Sequence, residues 1–130
     1  MLPAVTLDVE PTDAGLQLLS ARLTSFAHDH KLPETVVSGI VSVASEVGDV
    51  IAHSLDAPPV ARLQADADVG LDDAQLVLLA ADHRLPEVYA SLRPRLERIA
   101  SRCDAFATQL TPAAELQVWA RFRLVDDAGA

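Results

Sequence analysis

The sequence PETVVSGIVSVASEVGDVIAHSL at residues 33–55 decides the fold, because nearly all of it is apolar in a helical pattern. At about 100° per residue its large apolar side chains share one broad face, and a helix of this kind is buried. That face consists of Val36, Ile40, Val43, Val47, Val50 and Ile51. Glu46, Asp49 and His53 share the one narrow polar stripe of this helix. The stripe must therefore face either solvent or a pocket.

Composition restricts the class of protein. The chain of 130 residues has the length of one domain, and 50% of its residues are apolar. The 19 acidic and 10 basic residues give a net charge of -9, which disfavours binding to nucleic acid or to an anionic membrane surface. Cys103 is the only cysteine, so an internal disulfide is excluded. Without a secretory leader or an uninterrupted apolar run of about 18 residues, the sequence predicts a cytoplasmic protein outside the membrane.

Strands and helices are predicted on both sides of the central helix. Residues 5–10 alternate between apolar and polar, as in a half-buried strand, and leucines at helical spacing follow to about residue 30. The later predictions, in chain order, are a strand at 60–67, an acidic hairpin loop at 66–73, a continuous apolar strand at 75–81, a helix at 85–103 that Pro94 starts or kinks, a strand at 106–110, a turn at 111–115 and a strand at 116–124.

This order predicts an α+β fold. Segregated helices and hairpin-like strands are typical of a two-layer sandwich, with three helices packed on one face of a mixed, largely antiparallel sheet of about five strands. No linker or low-complexity segment interrupts the chain. We therefore expect a single domain over residues 1–130, with a frayed tail at 126–130.

The chain resembles a known family in its order, lengths and hydrophobic pattern. The resemblance runs from LDVEPTDAGLQLLSARLTSFAHDHKLP through SEVGDVIAH to the closing QVWARFRLV, which is nearly the whole chain. It is similar to the ATPase domain shared by histidine kinases and gyrase, the GHKL or Bergerat fold, and within that group to the small bacterial anti-sigma-factor serine/threonine kinases. The resemblance implies a protein partner, either a sigma factor or an anti-sigma antagonist, with a second copy of the chain as a further candidate.

The same resemblance assigns roles to four polar residues. In the family the central helix carries a catalytic Glu, then an Asn four residues later that holds magnesium, and often a His one turn beyond. By this comparison Glu46 is the candidate catalytic residue, Asp49 the candidate metal ligand and His53 a nucleotide-site residue, although Glu46 and Asp49 are only three apart. Asp82, at a strand end, corresponds to the Asp that binds the adenine amino group. The alternatives are a solvated stripe on the helix and a turn role for Asp82.

The glycines that would let backbone N–H groups approach a nucleotide are missing. Asp82 is followed by His-Arg-Leu-Pro, the turn at 111–115 reads TPAAE, and no glycine occurs between Gly70 and Gly129. The connection after Asp82 is also too short for the lid that closes over ATP in the family. We therefore expect a regulatory protein that acts by protein association, with its ATP site lost and no cofactor. The alternative is a divergent ATP- and Mg²⁺-dependent kinase or ATPase acting on an anti-sigma antagonist.

Two further groups have both a functional and a structural interpretation. His28 and His30 flank Asp29 and suggest a metal, but imidazoles near a helix C-terminus are explained by the helix dipole without one. Cys103 lies on the apolar face of the last predicted helix. It is either a nucleophile or, more simply, a thiol of the core.

The last strand carries the candidate partner-binding residues. Trp119, Arg121 and Arg123 alternate with its core residues, so they should lie on the outer face of the sheet. Trp and Arg are favoured anchors of protein interfaces. A plain solvated surface is the alternative interpretation.

Overall fold

A computed structural model describes residues 5–10, 12–54 and 62–124 of the chain. Its elements, in chain order, are β1 (Val5–Val9), α1 (Asp13–Asp29), α2 (Glu34–Ser54), β2 (Arg62–Val69), β3 (Asp73–Ala81), α3 (Leu85–Glu97), a 3-10 helix (Arg98–Arg102), β4 (Ala105–Leu110) and β5 (Glu115–Arg123). The strands form one sheet in the order β1-β2-β3-β5-β4. Every neighbouring pair is antiparallel. The α+β prediction is therefore confirmed, with a sheet that is antiparallel throughout.

The apolar face of α2 lies at the centre of the core. Its fully buried side chains include Ile40, Val43 and Val47. Two glycines allow the neighbouring elements to approach this helix closely. A Cβ atom on Gly48 would lie 2.3 Å from Leu16 of α1, and one on Gly39 would lie 2.7 Å from the ring of Phe122 in β5. The periodicity of residues 33–55 thus predicts correctly which face is buried.

β3 is the middle strand of the sheet, as its continuous apolar run predicts. Ala74, Leu76, Leu78 and Ala80 are buried beneath the helices. The side chains between them point to the other face and are partly or largely exposed, so no described helix covers this outer face of the sheet. Within the described residues, the fold therefore leaves one face of the sheet without a covering helix.

Two predicted boundaries are wrong. The acidic segment predicted as a loop from residue 66 continues β2 to Val69, and the turn is confined to residues 70–72. Asp66 and Asp68 fit a strand because they alternate with buried alanines and lie on the open face. The helix predicted at 85–103 is an α-helix only to Glu97 and a 3-10 helix from Arg98 to Arg102. Pro94 lies inside α3, so of the two alternatives for this residue the one in which it starts the helix is wrong.

Three predictions fall outside the described residues. These are the end of the central helix at residue 55, the first two residues of the strand predicted from residue 60, and the tail at 126–130.

α2 is the most apolar helix in the described part of the chain. By length and composition alone, Glu34–His53 would suffice to cross a membrane, with a mean hydropathy of 1.5. Half of that segment is buried inside this fold, and the core helix of a soluble protein passes the same test. The length of α2 is therefore only weak evidence for a membrane span.

Candidate functional site

The carboxylate of Asp82 is buried and held by the residue two positions later. Its side chain is only 1% exposed. The guanidinium of Arg84 donates from Nε to Oδ1 at 2.9 Å and from Nη2 to Oδ2 at 2.7 Å, and the Arg84 backbone N–H donates to Oδ1 at 2.9 Å. These donors, opposed in part by burial, lower the pKa of Asp82 to about 2. The carboxylate is therefore ionised and faces a cation of its own turn.

The local sequence explains this geometry. Asp82 directly follows β3, and its carbonyl accepts the N–H of Leu85 at 3.1 Å to form a tight turn. Pro86 lies in the first turn of α3, where the absence of its N–H costs nothing. Because α3 begins at Leu85, the short connection predicted after Asp82 is confirmed.

Glu46 pairs with a cation from a distant part of the chain. Arg102, in the 3-10 helix, donates from Nε to Oε2 at 3.0 Å and from Nη2 to Oε1 at 3.3 Å. The hydrogen bonds that Arg102 donates to Glu46, followed by the negative charge of Glu46, raise the pKa of Arg102. Both side chains are partly exposed, so solvent weakens the attraction. The pair nevertheless directs the Glu46 carboxylate towards the 3-10 helix.

Asp49 and His53 interact with each other one turn apart. The His53 Nδ1 lies 2.8 Å from the Asp49 carbonyl oxygen and 3.2 Å from its carboxylate Oδ1. Both side chains are exposed. Among the described residues, no group of three or more His, Cys, Asp or Glu side chains is placed to hold a metal ion.

The polar stripe of α2 borders two clefts. One, of about 530 Å³, lies between α1 and α2, where the hydroxyls of Ser20 and Ser45 are 2.9 Å apart. The other, of about 270 Å³, lies between α2, α3 and the 3-10 helix. Glu46 and Asp49 line both clefts, and Asp82 lines neither. The structure thus brings Glu46, Asp49 and His53 together on one stripe but leaves Asp82 apart from them.

Arginines in the second cleft are functional candidates that the sequence reasoning missed. Arg95, Arg98 and Arg102 line it opposite the two carboxylates of α2. Their spacing of three and four residues places them on one helical face, so this spacing could have predicted the arginine cluster from the sequence. Guanidinium groups in a cleft suit an anionic ligand.

The predicted partner-binding residues lie on the outer face of the sheet. Trp119 is half-buried, and its Nε1–H donates to Gln75 Oε1 at 3.0 Å. The Arg121 side chain is 42% exposed and donates from Nε to Asp73 Oδ2 at 2.7 Å. Arg123 is exposed at the end of the same strand. Their placement agrees with the alternating pattern, and their role in binding stays a prediction.

The outer face also carries apolar side chains beside Trp119. Val77 lies directly opposite Trp119 in the register of β3 and β5. Leu79, two residues further along β3, is also only partly buried. Together these three side chains form an apolar group at the centre of the uncovered face.

The remaining candidates have structural explanations. His28 Nε2 lies 3.4 Å from Glu34 Oε1, and the ring of His30 packs against Phe26 with ring centroids 4.6 Å apart. Burial, followed by the charge of Asp104, raises the pKa of the Cys103 thiol. A raised pKa keeps the thiol protonated at neutral pH, which makes it a poor nucleophile.

Comparison with known proteins identifies a likeness of fold. No family model matches the sequence, and no curated protein is significantly similar to it. The crystal structure of the RsbU and RsbW domains of Rv1364c from Mycobacterium tuberculosis is similar in fold, with a TM-score of 0.63 at 15% sequence identity. The similarity covers 94% of this chain, which spans 33% of that one. At this identity the comparison establishes a shared fold.

Proposed function

We propose that the protein is a regulatory protein of the anti-sigma-factor kinase type that acts by protein association and has lost its ATP site. Its fold likeness to a structure that contains an RsbW domain supports the type, because RsbW is an anti-sigma-factor kinase of the GHKL class. Nearly the whole chain, 94% of it, takes part in that likeness. In this interpretation the chain retains the two-layer α+β fold and has lost nucleotide binding and catalysis.

The single observation that carries the proposal is the ion pair at Asp82. A carboxylate that binds the adenine amino group must present an oxygen to the ligand. Here the carboxylate is buried, and it accepts two hydrogen bonds from the Arg84 guanidinium and one from the Arg84 backbone N–H. A nucleotide would have to displace a bidentate, charge-assisted contact before it could bind.

The polar stripe of α2 supports the same proposal. A general base must reach the proton that it abstracts, and a magnesium ligand must present its oxygens to the ion. Glu46 instead binds Arg102, and the Asp49 carboxylate lies beside His53. Both carboxylates are therefore engaged with cationic or polar groups of the protein itself.

The outer face of the sheet is the proposed surface for the protein partner. Trp119, Val77 and Leu79 provide apolar contact area, and Arg121 and Arg123 provide charge at one side of it. Such a combination of a central aromatic residue with flanking arginines is typical of interface hot spots. The partner expected for this surface is a sigma factor or an anti-sigma antagonist domain.

Binding measurements with sigma factors and anti-sigma antagonist domains of the source organism test this surface. Interferometry should detect at least one complex, and replacing both Trp119 and Arg121 with Ala should weaken it at least tenfold, or about 1.4 kcal/mol. Leu18→Ala is the matched control, because Leu18 is a 52% exposed apolar residue on α1. Binding by none of these proteins, or equal binding by the double variant, would contradict the proposal.

A second candidate function is that of a divergent ATP- and Mg²⁺-dependent kinase or ATPase. The observation in its favour is the cleft where Arg95, Arg98 and Arg102 face the carboxylates of α2, since arginines bind phosphate groups well. This candidate requires micromolar binding of a magnesium nucleotide. The first candidate requires binding weaker than roughly 1 mM.

A further inference from the structure

Within the described part of the chain, β4 forms one edge of the sheet, and its own sequence has none of the usual protection of an edge strand. Its sequence, AFATQL, contains no charge, proline or glycine. Natural edge strands are commonly protected by charged side chains, prolines or covering elements. Among the described residues, β4 is paired with β5 alone. Its other edge is therefore a template for a further strand.

The turn after β4 determines which backbone groups lie on that free edge. Thr111 N–H donates to the Glu115 carbonyl at 2.8 Å, and Ala114 N–H donates to the Thr111 carbonyl at 3.0 Å. This is a three-residue hairpin loop closed by the hydrogen-bonded pair of Thr111 and Glu115. Because bonded and non-bonded pairs alternate along an antiparallel ladder, the next bonded pair is Gln109 with Gln117.

Hydrogen bonds at the start of β4, near Ala105, identify the same residues of β4 as bonded to β5. Asp104 N–H donates to the Arg121 carbonyl at 2.9 Å, as expected for a bulge beside a bonded pair of Ala105 and Arg121. The backbone groups of Ala105, Ala107 and Gln109 are therefore used by β5. Those of Phe106, Thr108 and Leu110 point away from β5, towards the free edge.

We propose that this edge pairs with the same edge of a second copy of the chain. Only residues whose backbone groups point outwards can form bonded pairs, and the one register that pairs all three of them places Thr108 opposite Thr108 on the two-fold axis and Phe106 opposite Leu110. Each bonded pair contributes two hydrogen bonds, or about six in all. The two five-stranded sheets become one continuous sheet.

The charge of the chain favours this edge for self-association. Two copies with a net charge of -9 each repel one another, but the strand that meets its copy here brings no charge to the contact. Thr opposite Thr is a favourable cross-strand pair, and the half-buried Phe106 and Leu110 gain an apolar neighbour on the helix side. A contact confined to one strand pair is small, so we expect a weak dimer.

This interface is separate from the outer face proposed for the protein partner. Edge pairing adds strands beside β4 and leaves the side chain of Trp119 uncovered. The inference does not rest on the proposed function, and the two fail in different experiments. Loss of self-association in a Thr108 variant with retained partner binding would separate the two surfaces.

Sedimentation equilibrium of three Thr108 variants tests the dimer. All three lose the 3.1 Å contact between the hydroxyls of Thr108 and Tyr89, so Thr108→Val is the matched control and should associate like the wild type. Thr108→Pro removes an outward N–H, which edge strands tolerate, and Thr108→Lys places two like charges opposite each other. Both should weaken association at least tenfold. If circular dichroism shows that Thr108→Pro does not fold, the association constant of Thr108→Lys alone tests whether the β4 edge forms the dimer.

Two outcomes would overturn the inference. One is a wild-type protein that stays monomeric up to about 1 mM, well above the range of weak specific dimers. The other is a Thr108→Lys variant that folds and associates with the wild-type constant, since this would place the dimer contact elsewhere on the molecule.

Cysteine cross-linking tests the register in a Cys103→Ala background. Opposite Cα atoms of a bonded pair are about 5.5 Å apart, within the range that a disulfide spans. Thr108→Cys should therefore form a covalent dimer under mild oxidation. Gln109→Cys is the control: residue 109 lies opposite residue 107 of the other copy, so its two cysteines are too far apart to join. Equal cross-linking of both, or of Gln109→Cys alone, would rule out this pairing.

Discussion

The ion pair between Asp82 and Arg84 should contribute measurably to stability. Two charge-assisted hydrogen bonds join the guanidinium to a carboxylate that is 1% exposed. Each such bond is worth about 1.5–3 kcal/mol net, and removing one partner of a buried pair leaves a charge without compensation. We expect Arg84→Ala to cost about 3 kcal/mol and Asp82→Ala about 2 kcal/mol, the latter less because Arg84 can still reach water.

A double-mutant cycle isolates the pair itself. Urea unfolding of the wild type, both single alanine variants and the double variant gives a coupling free energy, for which we expect about 2 kcal/mol at pH 7. The carboxylate has its pKa lowered from 3.8 to about 2. Its contribution is therefore complete above about pH 4 and is lost as the pH falls through 2. Asp82→Asn, which does not titrate, should show a flatter loss of stability over that range.

A small coupling would refute the reasoning. If the cycle gives less than about 0.5 kcal/mol, the guanidinium does not hold the carboxylate, because that value is typical of exposed pairs. Asp82 would then be available to a ligand, and the main support for a lost adenine site would disappear. A wild-type acid transition that matches that of Asp82→Asn would contradict the lowered pKa.

Two further predictions concern the fold. Val43→Asp should cost at least 3 kcal/mol, because it buries an unpaired charge at a fully buried position of α2; a melting temperature within a degree or two of the wild type would contradict the packing of α2. Ala114→Gly should stabilise the protein by about 0.5–1 kcal/mol, because Ala114 has φ of 60° in the loop position that favours glycine. Calorimetry should show a higher melting temperature for Ala114→Gly but not for the control Ala113→Gly.

Local patterns predicted most of the fold, because burial is periodic along each element. The spacing of apolar residues in α2 identified its buried face, and the alternation in β5 placed Trp119 on the open side of the sheet. The acidic segment of β2 was misassigned because aspartates usually mark turns. Asp66 and Asp68 are equally acceptable on a strand with one solvated face. Only the pairing of this segment with β1 and β3 shows that it is a strand and not a loop.

The partners of the site residues could not be predicted in the same way. Glu46 binds Arg102, which is 56 residues further along the chain, so the contact depends on how α2 and the 3-10 helix pack. Arg84 is only two residues from Asp82, but its rotamer determines whether the guanidinium turns back to the carboxylate or points into solvent. The sequence shows which charged residues are present, but it does not show which of them form ion pairs with each other.

Calorimetric titration with a non-hydrolysable ATP analogue and Mg²⁺ tests the central claim most directly, namely that this fold is kept without its nucleotide site. The account predicts no binding tighter than roughly 1 mM, equivalent to about 4 kcal/mol, for the wild type. Micromolar binding that is lost in Asp82→Asn would contradict it and would identify the protein as a nucleotide-dependent enzyme.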